Sequence, residues 1–439
     1  MKSVNVIGKY MRIYVVLVFS FLALLCMSYL IPVNERNMKE SSELLVQEGV
    51  FPNYTGNDEK YIGQDNYTDS LMLNIISTMS KDKNILKSVM QMNYRMEDDG
   101  DFNSVNDLYY LYESANTKHL FDTVSYARYW HGYVVYLKPL MFILNFSQLR
   151  VFMTVCIYTL LIICIYCIAT KIGIKYSIGF LAGFILVDIN HICYSVQYFN
   201  VFALTLGMLI FIATRTEEKL YSNFEMYNFI FGGIICFVDL LTTPIITFGL
   251  CGILFFVYFA IRGDFTIKEV VKKNIKAGIA WVGGYVIIWG TKWMLGSIII
   301  GRNVFLDALK LAEVRTSVVP DGFSSFDWIK YDFVSNFNFL FRSDFKKEIM
   351  LIFIIIGVIA VIKYNSHPKW INIIMLLLFA GIPYIWYIGL KNHSGIHAFF
   401  TYRNQILTIV CVFEILIYCI DEKRVAKKVL EPNYSQKIG

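Results

Sequence analysis

Residues Tyr126 to Val151 read YARYWHGYVVYLKPLMFILNFSQLRV. This stretch decides the fold, because it joins a long polar segment to an apolar one. Placed on a helix, its first half divides into three faces. Arg128, His131 and Lys138 share one face, with Val135 among them. Tyr129, Tyr133 and Tyr136 fall at i, i+4 and i+7 on a second, and Trp130, Val134 and Leu137 form a greasy third. Pro139 kinks or ends the segment. A cationic stripe opposite an apolar one suits a helix at a membrane surface with one side on a hydrophilic cavity. Interfacial anchoring is the plainer reading of the same Tyr, Trp, Lys and Arg.

Composition extends the membrane reading to the whole chain. The 439 residues are 56% hydrophobic, with a mean hydropathy of +0.51. Several apolar runs reach the roughly 20 residues that cross a hydrocarbon core. The net charge of +6 is no nucleic-acid signal, since many Lys and Arg lie in short loops between apolar runs. All nine cysteines sit in or beside apolar runs, so no disulfide framework is implied, and Cys164-x-x-Cys167 reads as packing.

These signals predict an all-α polytopic membrane protein with about ten spans. Residues 1–31 form the first span, with Lys2, Lys9 and Arg12 at its cytoplasmic start. Residues 32–148 form a large extracytoplasmic loop of short membrane-surface helices. Spans two to seven occupy 149–299, a second outer loop 300–348, and spans eight to ten 349–420, leaving 421–439 as a basic cytoplasmic tail. Both termini then lie inside. Every short inner connection carries Lys or Arg, and the two tightest outer turns carry none, as the positive-inside rule requires. The plasma membrane is the expected location, and membrane lipid the expected surroundings. No internal or inverted repeat is visible.

This topology gathers the chemistry-bearing residues on the outer side. Asp65 and Asp69 precede an apolar helical run that would fix their position, and both are carboxylate candidates at a site, with Asp69 as the N-cap of that helix the competing reading. Glu97 to Asp101 is an acidic run suited to a solvated loop. Lys292 lies inside span seven, between Trp289 and Trp293. A charge there costs about 2.5–3.5 kcal/mol unless it reaches a polar cavity or the interface, which leaves snorkelling and phosphate binding as the readings. Asp239, before the LLTTP turn, caps that turn or serves a site. His393 and His397 are spaced i, i+4, but Gly395 interrupts the helix and no H-E-x-x-H is present, so hydrogen bonding to phosphate or sugar beside Arg403 is preferred to metal binding. Glu414, mid-span, reads as a packing residue. The N-x-S/T triplets matter only in a secretory compartment.

An outward cluster of carboxylates, His and cations at a membrane suits sugar transfer from a polyprenyl-phosphate carrier, with a carboxylate as general base and cations on the phosphate leaving group. Transport is the other class, with charges lining a path.

The plan of an inner N-terminus, a large outer loop after span one and a late second outer loop resembles the GT-C superfamily of integral membrane glycosyltransferases. The resemblance implies an inverting transfer, without a dissociable cofactor, from a polyprenyl-phosphate sugar to a cell-surface glycan or lipid-linked acceptor. It places the catalytic acid in the first outer loop, for which Asp69, Asp65 and then Glu35 are the candidates here. It also places cations near the carrier phosphate, for which the Arg128–Pro139 stretch is the counterpart, although no His-Pro-Pro occurs. Arg128, His131, Lys138, Asp239, Lys292, His393, His397 and Arg403 are the candidate substrate-binding residues. A glycan polymerase or ligase and a non-catalytic flippase are the alternatives.

Overall fold

The computed structural model describes residues 2–51, 64–79, 84–97, 103–113, 120–263, 265–364 and 368–420. Most of the acidic run after Glu97 and the basic tail lie outside the described residues.

Six helices are long and apolar enough to cross a membrane: Ile7–Leu30, Phe146–Ile172, Val196–Ala213, Ile267–Ile300, Trp370–Gly389 and Ala398–Tyr418. Their outward surfaces carry exposed Ile, Val, Phe and Leu, such as Ile162, Ile279, Ile298 and Ile385, which only a lipid environment covers without aggregation. The other four expected spans are also helical. Glu217–Val238 and Asp344–Tyr364 are 22 and 21 residues long, and Ile245–Ile261 is a shorter apolar helix. Ile174–Leu186 has only 13 residues, and Asp188, with φ 63°, turns the chain just beyond its end. At 1.5 Å per residue, 13 residues cover about 20 Å, short of a 30 Å hydrocarbon core. The ninth stretch is likewise two helices, Trp370–Ala380 and Ile382–Gly389, parted at Gly381 ahead of Pro383.

The 34-residue helix Ile267–Ile300 is the spine. It crosses Glu217–Val238 at backbone contact. A Cβ on Gly232 would lie 2.0 Å from the Trp281 carbonyl, and one on Gly284 would lie 2.1 Å from that of Phe229. Small residues allow such crossings where lipid offers no hydrophobic drive.

The first loop is not merely laid on the surface. It contains the helices Glu35–Glu48, Asn66–Thr78, Ile85–Gln91 and Ser104–Tyr112. The strands Asn93–Glu97 and Phe121–Ser125 pair antiparallel between them, a ribbon that the all-helical expectation omits. Asn66–Thr78 is buried at almost every position, wedged against the bundle. Charged pairs pin the wedge: Arg150 donates to Glu48 at 2.7 Å and to Asn66 at 2.9 Å. The second loop holds Val304–Ser317 and Ser325–Leu340.

Candidate functional site

The Tyr126–Tyr133 segment is not helical; the helix begins at Val134 and runs through Pro139 to Ile143. The single cationic face is therefore corrected. A helical wheel holds only where the backbone bonds to itself, and here it bonds to Glu217–Val238 and to the spine. Gly132 N–H donates to the Phe237 carbonyl at 2.7 Å, an approach that a Cβ would block. The indoles of Trp289 and Trp293 both donate to the Arg128 carbonyl, at 2.8 and 3.0 Å. Trp130 donates to the Ile288 carbonyl at 2.8 Å. His131 has φ 57° and turns inward.

His131 is fully satisfied. Its Nε2 lies 2.8 Å from the Tyr126 carbonyl, so it donates there; its Nδ1 then accepts from the Tyr133 hydroxyl at 2.9 Å. Burial, opposed by the bond to Tyr126, pushes this imidazole down to about 3, so it stays neutral. Lys138 points elsewhere again, towards the Tyr29 carbonyl at 3.4 Å. Of the three, Arg128 alone reaches the aromatic cavity beside the spine.

That cavity holds about 490 Å³ between the spine, Val304–Ser317 and Ile382–Gly389. Its walls are apolar and aromatic, including Trp281, Tyr285, Trp289, Pro244 and Trp386, and its charged lining residues are Arg128 and Arg315. It opens sideways on the bundle, since the lining residues Val282, Val286 and Ile385 are 53%, 57% and 70% exposed.

Arg315 Nη1 lies 2.7 Å from His397 Nε2. Arginine has no acceptor, so it donates, and His397 must carry its proton on Nδ1. That Nδ1–H has no partner among the described residues, nor has Arg315 Nε or Arg128 Nε. Burial first, then the neighbouring Arg315, pushes His397 down to about 3. His393 sits beside it, its Nε2 donating to the Leu241 carbonyl at 2.8 Å. Burial holds His393 well below the usual imidazole range, reinforced by His397 and Arg315. The helix Lys391–Ile396 runs through Gly395, where a Cβ would strike the Trp328 ring at 2.5 Å; the glycine permits packing rather than breaking the helix. Buried N–H donors with no protein acceptor, beside two guanidiniums, make an anion-binding set.

The other expected residues lie apart from this cavity. Asp65 caps Asn66–Thr78, accepting from Thr68 N at 3.0 Å and from Gln197. Asp69 is in the first turn and instead accepts from Ser195 Oγ and Val196 N, at 3.0 and 2.9 Å, capping the helix Val196–Ala213. Both are buried. Burial raises Asp65 to about 6 and Asp69 well above the carboxylate range, the latter aided by Asp65. Asp239 closes its turn by accepting from Thr242 N at 3.0 Å. Lys292 spends its donors on the Met90 and Val89 carbonyls, at 2.9 and 3.3 Å. Arg403 lies buried with its guanidinium 4.4 and 4.7 Å from the rings of Tyr198 and Tyr402. Glu35 is exposed at the start of its helix.

Neither Arg315 nor Asp307 is among the candidates read from the sequence. Their signal was available, since Asp307, Leu311 and Arg315 recur at i, i+4 and i+8. Asp188, too, binds Lys346 at 2.5 Å and Arg342 at 3.4 Å, a network that joins helices far apart in sequence. Among the described residues no three His, Cys, Asp or Glu side chains converge to hold a metal. No family model, curated protein or solved structure matches this chain.

Proposed function

We propose that this chain is an integral plasma-membrane glycosyltransferase, with ten spans, both termini cytoplasmic and its site on the outer face. It moves a sugar from a polyprenyl-phosphate carrier to a cell-surface glycan or lipid-linked acceptor. The observation that carries this reading is the sideways-open aromatic cavity with Arg128, Arg315 and the unpaired His397 N–H in its lining. A lipid-linked phosphate has the same two parts, a long apolar tail and an anionic head, and a cavity of this kind receives both.

In the transfer, the acceptor hydroxyl attacks the anomeric carbon and the bond from that carbon to the phosphate oxygen breaks. The electron pair leaves on the phosphate, a carboxylate takes the hydroxyl proton, and the configuration inverts. A guanidinium beside the departing phosphate, that of Arg315, lowers the barrier, because the negative charge grows there. In this reading Asp65, Asp69 and Lys292 hold the first loop in place so that Arg128 is presented to the cavity.

Purified protein in nanodiscs is expected to bind a radiolabelled polyprenyl-phosphate sugar and to hydrolyse it slowly without acceptor. A folded protein that binds none of a panel of such carriers overturns the proposal and favours transport of another solute.

A further inference from the structure

The geometry points to Asp307 as the carboxylate that takes the proton from the acceptor, a role that rests on the transferase reading above. Asp307 lies in the first turn of Val304–Ser317, the helix that lines the cavity with Ala308, Leu311, Ala312 and Arg315. Asp307, Leu311 and Arg315 form one stripe, four residues apart, so the acid and the arginine are presented two turns from each other. Asp307 Oδ2 is 3.5 Å from Arg128 Nη1, a contact too long to be a full hydrogen bond. Both Asp307 Oδ2 and Arg128 Nε are buried atoms without a hydrogen-bond partner among the described residues, while the Asp307 side chain as a whole is 39% exposed. The pair is therefore in contact yet unfinished, and an acceptor hydroxyl meets the carboxylate on its exposed side, away from the buried Oδ2.

The spacing fits the reaction line. Eight residues of helix separate Asp307 from Arg315 by about 12 Å. A line running from base through acceptor oxygen, anomeric carbon and leaving phosphate to a guanidinium is on the order of 10–12 Å long, with hydrogen bonds of about 2.8 Å at its ends and a near-attack gap of ~3 Å. Arg315 and His397 then hold the leaving phosphate, and Arg128 orients Asp307. The candidates in the first loop do not compete for this place. Asp65 and Asp69 are buried in capping bonds, and Glu35 lies exposed at the start of its helix.

The test compares wild type, Asp307→Asn and Asp307→Glu in nanodiscs, with a polyprenyl-phosphate sugar as probe. Binding and slow hydrolysis are measured from acid to alkaline pH. Asp307→Asn is expected to bind the carrier within about threefold of wild type, to lose 10²–10⁴-fold in hydrolysis, and to lose the acid-side fall of the wild-type rate. Asp307→Glu should recover part of the rate. Hydrolysis by Asp307→Asn within about threefold of wild type overturns the assignment and leaves the transferase reading standing. Loss of binding in both variants overturns it too, by making Asp307 a structural partner of Arg128. A wild type that neither binds nor hydrolyses any carrier removes the transferase reading and the assignment with it.

Discussion

Lys292 is a buried cation and Arg315 a half-buried one, and the difference between them lies in which of their donors are already used. An ammonium has three donors and no acceptor, so burial obliges it to find oxygens. Lys292 finds them on the loop, at the Met90 and Val89 carbonyls, with the Met90 sulfur 3.7 Å away. It staples the first loop to the spine. Arg315 spends Nη1 on His397 and leaves Nε unpaired at the cavity. Substitution should separate the two. Lys292→Met strands two carbonyls and is expected to cost about 2–4 kcal/mol of stability, read as a lower thermal midpoint, with carrier binding in the surviving folded protein unchanged. Arg315→Met is expected to leave the midpoint nearly unchanged and to weaken carrier binding roughly 10–100-fold, the worth of one charge-assisted contact of about 1.5–3 kcal/mol. The reverse pattern would move the anion site from Arg315 to Lys292.

At the scale of elements, helix starts were the most legible feature and helix meetings the least. Asn84, Asn103 and Asn145 each cap the helix that follows, and Gln148 completes a capping box with Asn145. Such caps are local chemistry and can be read in the chain. Asp65 rather than Asp69 is the cap of its helix, because the chain turns one residue before Asn66. The meeting of Glu217–Val238 with the spine was not legible, since adjacent glycines have different fates. Gly284 abuts the Phe229 carbonyl, whereas Gly283 has nothing within 4 Å of its would-be Cβ. Gly284→Ala is expected to destabilise by about 1–3 kcal/mol or more through overpacking. Gly283→Ala should be neutral or stabilising by up to ~1 kcal/mol, because alanine is the better helix former. Thermal unfolding in one detergent checks both, and equal effects would contradict the crossing.

At the scale of the whole molecule, the spine has two unlike ends. Lys268, Lys272, Lys273 and Lys276 lie at its start, and Trp289, Lys292 and Trp293 near its finish, where the first loop and Arg128 dock. Basic connections at one end and the built cavity at the other are what an outward site requires, and the sidedness can be measured directly. With the native cysteines replaced, a cysteine at Asp321 is expected to react in intact cells with a membrane-impermeant maleimide, and one at Lys268 only after permeabilisation. Both positions are exposed, so access to reagent decides the result. Inverted labelling would put the cavity on the inner face and exclude outer-surface transfer.

The chain by itself determined a helical membrane protein and where its apolar helices lie, because hydropathy and caps act over a few residues. It also marked Arg128, Trp289 and His397 as belonging to one end of the molecule. Only the tertiary structure decided which of those residues share a cavity. Tyr126–Tyr133 has the pattern of a helix but gives its backbone bonds to Glu217–Val238, to Gln91 and to the spine. His131 and Lys292 thereby become internal fastenings, and Arg315, more than 180 residues later, becomes a neighbour of Arg128. Side-chain spacing along a chain carries no record of which donors a distant carbonyl will claim, and that claim separates a buried fastening from a free binding group.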